Sequence, residues 1–175
     1  MRIPEKLCDI ALAVTILLTG CGGSKPTVES AKTESAATPT PVPEYAPPEG
    51  TFVIKARKPE IRSYGTMTQY TFHGANVHDF PLLTLEVTEF GAPGSGAPGA
   101  FSLDQYERAF AAEPGAVVTS KDIALGAYSG RELTVTRQGS PEMVRIYTVN
   151  GRTYMLQWNP VVAHSTETVD TFEIP

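Results

Sequence analysis

The chain has 175 residues, of which 41% are hydrophobic and 19% are charged, values typical of a globular protein. This length suits one ordinary domain with room for a tail. The net charge of −5, from 14 Lys and Arg against 19 Asp and Glu, argues against a general nucleic-acid binder, which needs clustered positive charge. Both cysteines, Cys8 and Cys21, precede the main body of the sequence, which therefore holds no disulfide and no thiolate site.

The chain begins with the features of a signal peptide, which we predict over residues 1–20. Arg2 and Lys6 supply a basic start, partly offset by two acidic residues, and residues 10–18 are apolar except for Thr15. A membrane-spanning helix needs about twenty apolar residues, whereas a short run behind a basic start is typical of an exported protein. The signal therefore predicts a location outside the cytoplasm.

The apolar run ends at Leu18 and is followed directly by Thr19, Gly20 and Cys21. These four residues resemble the lipobox of bacterial lipoproteins, in which the cysteine thiol is joined to diacylglycerol and the signal peptide is cleaved before the cysteine. The resemblance implies that Leu18, Thr19 and Gly20 are recognised by the signal peptidase and that Cys21 is lipidated, with further acylation by palmitate or a similar chain. Two or more acyl chains anchor a protein stably to a membrane. The alternative is an ordinary signal peptide with an incidental cysteine.

Residues 21–50 are predicted to form a disordered linker between this anchor and a globular domain over residues 51–175. From residue 22 onward the segment holds six prolines, and its sizeable apolar side chains are only Val28, Val42 and Tyr45. Such a composition cannot bury enough surface to offset the entropy of ordering the chain. A docking peptide for a proline-recognition domain is the alternative interpretation.

Residues 51–175 show the patterns of an antiparallel β-sheet. Residues 82–91 alternate apolar and polar side chains, as a half-buried strand does. The pair Asn150-Gly151 favours a type I′ turn and sets a hairpin register with Tyr147 opposite Tyr154. Strands are predicted over residues 51–57, 66–74, 82–91, 116–125, 128–137, 142–149, 152–158 and 172–174.

One helix is predicted after residue 102. Ser102 and Gln105 have the spacing of a capping box, and Pro114-Gly115 ends the helix. Its apolar stripe of Leu103, Tyr106 and Phe110 is typical of a helix packed on a sheet. A short helix near 164–171 completes an α+β fold with one mostly antiparallel sheet of five to seven strands, since the parallel βαβ alternation is missing from the sequence.

The order of these segments carries a second resemblance, over roughly residues 80–175. The sequence LDQYERAF, then GAYSGRELTV, then VRIYTVNGRTYMLQW and ETVDTFEIP resembles small α/β/α-sandwich lipoproteins of the PsbP-like class. The closing helix is shorter here than in that class. The resemblance implies a mostly non-enzymatic domain of a kind whose members bind partner proteins.

Three potential metal ligands, His73, His78 and Asp79, lie within seven residues of one another. A fourth ligand would have to come from His164 or a distant carboxylate, and the spacing is not that of a zinc-binding helix. A polar connecting loop is the alternative interpretation. No Ser-His-Asp constellation stands out, and the Gly-rich residues 91–99 lack a nucleotide-binding motif, so we predict no catalytic residues and no cofactor.

Lys55, Arg57, Lys58 and Arg62 form a small basic cluster at the entry to the predicted domain. Such a cluster can contact anionic lipid or peptidoglycan. It is also typical of a solvated strand edge, where Lys deters pairing with other strands.

These observations favour an exported, lipid-anchored protein of a bacterial cell envelope with a non-catalytic binding domain, whose partner is a protein or another envelope component. One alternative is an envelope metal-dependent or hydrolytic enzyme that uses His73, His78 and Asp79. Another is a purely structural spacer lipoprotein.

Overall fold

A seven-stranded antiparallel sheet forms the body of the domain in a computed structural model that describes residues 41–75, 80–90 and 101–175. The chain divides into residues 1–38 and 39–175, and all described residues belong to the second unit. The α+β prediction is confirmed. The elements are β1 Glu44–Tyr45, β2 Ile54–Lys55, β3 Glu60–Tyr64, β4 Met67–His73, β5 Pro81–Glu89, α1 Leu103–Ala111, β6 Ala116–Leu125, β7 Tyr128–Arg137, β8 Ser140–Val149, β9 Arg152–Trp158 and α2 Ser165–Val169.

The strand order of the large sheet is β3-β4-β5-β9-β8-β7-β6, and β1 and β2 form a separate two-stranded sheet. The predicted hairpin is confirmed, since Tyr147 pairs with Tyr154 and Val149 with Arg152. Asn150 and Gly151 both have positive φ, as a type I′ turn requires. No helix in the described part of the chain is long and apolar enough to span a membrane.

The predicted capping box of α1 is confirmed, because the Ser102 hydroxyl accepts from the Gln105 backbone and the Gln105 side chain accepts from the Ser102 backbone. The apolar stripe of α1 covers one face of β6, β7 and β8. The core beneath it consists of Leu133, Val135, Val144 and Ile146.

The main core lies on the opposite face of the sheet, beneath α2, the β1-β2 pair and the C-terminal segment. The β8-β9 hairpin contributes to both cores, which explains why both of its faces are rich in apolar residues. Phe52, Ile54, Phe72, Leu83, Leu85 and Leu156 are fully buried members of the main core.

The strand predictions need three corrections. The segment 51–57 pairs as a strand only at Ile54–Lys55, and the strand predicted over 172–174 is a single bridge between Val53 and Glu173. Strand β3 was not predicted, because all five of its residues are exposed and give no periodic burial signal. It lies at the edge of the sheet, where only one neighbour holds it.

The folded domain includes residues that the sequence assigns to the linker of residues 21–50. Glu44 pairs with Lys55 and Tyr45 with Ile54. The Tyr45 ring lies 5.8 Å from Phe72 and 6.1 Å from Phe52, measured between ring centroids. Burial of one aromatic ring and a short strand pairing thus order the end of a proline-rich segment. The linker prediction for the chain before residue 41 lies outside the described residues, as does the Gly-rich segment 91–99.

Gly130 on β7 has no room for a side chain, because a Cβ there would lie 2.7 Å from the Ile146 carbonyl oxygen and closer still to the Tyr147 ring. Tyr147 is buried and stacks on Phe172, so it cannot move aside. We expect Gly130→Ala to lower the free energy of unfolding by about 2 kcal/mol through overpacking. In Gly126→Ala the new Cβ meets open space, and the positive φ alone should cost about 1 kcal/mol. Urea denaturation measures both, and a Gly130→Ala variant as stable as Gly126→Ala would contradict this packing.

Candidate functional site

Several residues singled out by the sequence lie outside the described ranges: Leu18, Thr19, Gly20, Cys21, His78 and Asp79. The lipidation and signal-peptidase predictions therefore stay predictions. His73 ends strand β4 and is half-buried. His164 precedes α2 with a positive φ of 66°, and it is exposed.

One group of charged residues connects α1 to the sheet through ion pairs. Arg131 on β7 contacts Asp104 and Glu107 of α1 at 2.7 Å each, and Asp122 of β6 at 3.0 Å. Hydrogen bonds donated by Ser120 and Arg131 lower the pKa of the Glu107 carboxyl below its usual value. These contacts hold the helix over its core and have a structural role.

A second group lies on the other face of the sheet. Glu132, only 6% exposed, accepts from Lys121 and Arg145 at 2.7 Å each. Burial alone raises the pKa of the Glu132 carboxyl, but the two hydrogen bonds outweigh it and the net pKa is lowered. Arg145 also contacts Asp170 at 2.7 Å and lies over the Trp158 ring at 5.2 Å. Glu132 lies directly opposite Lys121 on β6 and Arg145 on β8, so the strand register itself brings these three side chains together.

The basic cluster differs from these groups because three of its members lack acidic partners. Arg62 pairs with Glu60 at 2.7 Å and so leaves the predicted cluster. Lys55, Arg57 and Lys58 are exposed and contact no carboxylate of the described residues. Among the other described Lys and Arg residues, Arg108 alone shares this property.

Two adjoining clefts open beside these cations. The first, of about 410 Å³, is lined by Arg57, Lys58 and His73 together with Pro59, Gly74 and Ala75, and also by Glu60, whose carboxylate pairs with Arg62. The Arg57 guanidinium donates to the Ala75 carbonyl oxygen at 2.9 Å, which fixes its charge at the rim. A hydrogen bond to a neutral carbonyl leaves that positive charge available to an external anion.

The second cleft, of about 590 Å³, shares Gly74 and Ala75 with the first and is mainly apolar. Phe80, Leu82 and Val162 line it, with Ala163 and His164.

Phe80 is 83% exposed, and Val161, the residue before the lining residue Val162, is 76% exposed. These are the highest values of any large hydrophobic side chain in the described part. Both residues lie where strands end, Phe80 just before β5 and Val161 shortly after β9. We call Arg57, Lys58, Phe80, Val161 and Val162 the basic–apolar end. Exposed apolar side chains at a cleft that adjoins a cation-lined cleft are typical of an interaction site.

Of the ligands that the metal hypothesis names, the described residues include His73 and His164 but not His78 and Asp79. His73 and His164 line different clefts, although the two clefts adjoin. No group of three His, Cys, Asp or Glu side chains suited to a metal ion occurs within the described ranges. His78 and Asp79 lie outside those ranges, so this hypothesis stays a prediction.

Sequence reasoning found the cations of the basic–apolar end but missed Phe80 and Val161. Phe80 lies between Asp79 and Pro81, and Val161 follows Asn159-Pro160, so each apolar residue stands in a turn-like context. An apolar residue among turn residues is the signal that could have identified them.

No protein-family model matches the chain, and no curated protein matches it. Among solved structures, the chain is similar to the solution structure of cyanobacterial PsbP (CyanoP) from Synechocystis sp. PCC 6803, with a TM-score of 0.48 and 7% sequence identity. The similarity covers 76% of this chain and 92% of that chain. That protein bears the name of the class that the sequence order resembles, and a likeness of this degree carries no function over to this chain.

Proposed function

We propose that the chain is an exported lipoprotein of a bacterial cell envelope, anchored through Cys21, whose folded domain is a non-catalytic binding module. The position of Leu18-Thr19-Gly20-Cys21 at the end of a short apolar run carries the anchoring part of the proposal. A diacylglycerol thioether at Cys21 and an acylated amino group would together give stable membrane attachment.

The spacing between the proposed anchor and the domain supports this arrangement. The first described strand begins at Glu44, 23 residues after Cys21. Chain of that length spans at most about 80 Å when fully extended. It therefore lets the domain either lie against the membrane or extend away from it.

The binding part of the proposal is supported by the difference between the basic–apolar end and the other charged groups. Arg131 and Arg145 each contact two or more acidic side chains and hold helices or strands together. Arg57 and Lys58 stabilise no such group and instead line a cleft that adjoins the cleft lined by exposed Phe80. A surface that keeps solvated charge and apolar area together is suited to a partner rather than to internal packing.

Metabolic labelling with radioactive palmitate tests the anchor. We expect the wild-type chain to incorporate label and to sediment with membranes, and Cys21→Ala to lose both properties almost completely. Cys8→Ala is the matched control and should label normally, because Cys8 precedes the apolar run and would leave with the signal peptide. Undiminished labelling of the Cys21→Ala variant would remove the anchor from this proposal.

A further inference from the structure

The basic–apolar end combines the two features that bind a protein to an anionic membrane surface. Arg57 and Lys58 offer positive charge that no carboxylate of the described residues neutralises, and Lys55 adds a third such charge two residues earlier. Cations close to an anionic bilayer each strengthen binding by about fivefold. Phe80 and Val161 expose apolar surface to solvent, and Phe80 lines the cleft that adjoins the one lined by Arg57 and Lys58.

The local charge contrasts with the rest of the protein. The whole chain carries a net charge of −5, which by itself would repel an anionic bilayer. Solvent-exposed charges act over about 10 Å at moderate ionic strength. The charge on the part of the protein nearest the bilayer therefore decides whether the two attract. Arg57 and Lys58 share their cleft with one acidic residue, Glu60, and its carboxylate pairs with Arg62, so this surface keeps the excess of positive charge that such a bilayer attracts.

The direction of the N-terminal segment supports the same orientation. Strands β1 and β2 are antiparallel, with Glu44 opposite Lys55 and Tyr45 opposite Ile54. The residues that precede Glu44 therefore lie toward the residues that follow Lys55, which include Arg57. Val42, in that segment, is 62% exposed. Residues 41–43, the first that the structure describes, thus lie on the side of the basic cluster.

We infer that the basic–apolar end is a membrane-facing surface that contacts anionic phospholipid, with Arg57 and Lys58 at the headgroups and Phe80 and Val161 in the interface. This inference rests on the proposed function, because the anchor at Cys21 keeps the domain close to the bilayer. It adds a second, reversible attachment that orients the domain. An acidic segment of a partner protein is the other occupant that the charges would suit, and the test separates the two.

Vesicle binding by a chain without lipid isolates the surface from the anchor. The protein would begin at residue 21 and carry Cys21→Ser, which removes no residue of the unit that contains both cores. We expect this chain to bind vesicles of phosphatidylcholine and phosphatidylglycerol, and to bind phosphatidylcholine vesicles far more weakly. Raising the salt concentration should weaken the binding to anionic vesicles, because added ions screen exposed charges.

Two variants test the two components of the surface. Removing both charges in Arg57→Gln/Lys58→Gln should reduce partitioning to anionic vesicles about 25-fold, at about fivefold per cation. Removing the ring in Phe80→Ser should reduce it about tenfold, since most of that ring would be buried in the interface.

Matched controls lie elsewhere on the domain. Arg108→Gln removes the remaining described cation that has no acidic partner, and Tyr64→Ser removes an aromatic ring that is 54% exposed at the opposite end of the sheet. Both controls should bind vesicles as the parent chain does. Far-ultraviolet circular dichroism verifies that every variant is folded.

The outcomes separate this inference from the anchor proposal. Equal binding of all four variants to anionic vesicles, or no binding by the parent chain, would overturn the membrane-facing surface even if Cys21 is lipidated in cells. Binding to polyglutamate but not to vesicles would also overturn it and would assign the surface to an acidic protein segment. Selective loss in Arg57→Gln/Lys58→Gln and Phe80→Ser would support it, even if labelling shows that Cys21 carries no lipid.

Discussion

Replacing Phe172 with alanine is expected to lower the free energy of unfolding by about 3–5 kcal/mol, the usual cost of truncating a buried aromatic residue. The Phe172 side chain is only 3% exposed, and its ring centroid lies 5.8 Å from Phe52, 5.9 Å from Tyr154 and 6.2 Å from Tyr147. Phe172 therefore packs the C-terminal segment against rings from two parts of the domain, Phe52 before β2 and the Tyr147-Tyr154 pair of the β8-β9 hairpin. Equilibrium denaturation in urea measures the loss.

Phe80→Ala is the matched control for this prediction, because it removes the same side chain from a site that is 83% exposed. Its effect on the free energy of unfolding should stay within about 0.5 kcal/mol. A loss below about 1 kcal/mol in Phe172→Ala would mean that the C-terminal segment does not pack on the main core as described.

Replacing Arg145 with alanine is expected to cost about 3 kcal/mol of unfolding free energy. The change leaves the buried Glu132 carboxylate with Lys121 as its remaining partner, and breaking a buried ion pair on one side costs about 3–5 kcal/mol. The lower figure applies because the Arg145 side chain keeps 21% exposure and water can reach the site. The contact of Arg145 with the Trp158 ring is lost as well.

The effect of Arg145→Ala should depend on pH. Because the pKa of Glu132 is lowered in the folded protein, its contribution to stability is present above the unfolded pKa of about 4.3 and is lost as the pH falls through the lowered value. Removing Arg145 takes away one of the two hydrogen bonds that lower this pKa. The stability difference between wild type and variant should therefore be largest near neutral pH and shrink in acid.

Arg152→Ala provides the comparison for an exposed ion pair. Arg152 contacts Glu89 at 2.9 Å, but the two side chains are 37% and 62% exposed. We expect a loss below about 1 kcal/mol, because exposed ion pairs contribute little to stability. Equal losses in Arg145→Ala and Arg152→Ala, or a difference that does not change with pH, would show that Glu132 is not held as described.

The parts of the fold that the sequence predicts well are those in which local residues carry the information. Asn150-Gly151 determines both the turn and the register of its hairpin, and Ser102 with Gln105 determines the start of α1. Strand β3 could not be found in this way, because its residues are all exposed and only the neighbouring β4 makes it a strand. The pairing of Tyr45 with Ile54 is equally dependent on burial against distant rings.

The candidate site likewise has features that are encoded locally in the sequence and features that depend on tertiary contacts. Lys55, Arg57 and Lys58 are close in sequence, so their cluster is visible without a structure. That the cleft lined by Arg57 and Lys58 adjoins the cleft lined by Phe80 depends on where the ends of β4 and β5 meet the loop after β9, which no local pattern encodes. The partner of each cation is likewise a tertiary property, and it separates Arg62, which is paired with Glu60, from its neighbours.

The mass of the N-terminal peptide of the mature protein, purified from membranes, decides whether Cys21 carries the anchor. We expect a chain that begins at Cys21, with its sulfur in a thioether bond to diacylglycerol and its amino group free or acylated. A mature chain that begins at another residue, or one whose residue 21 carries an unmodified thiol, would contradict it.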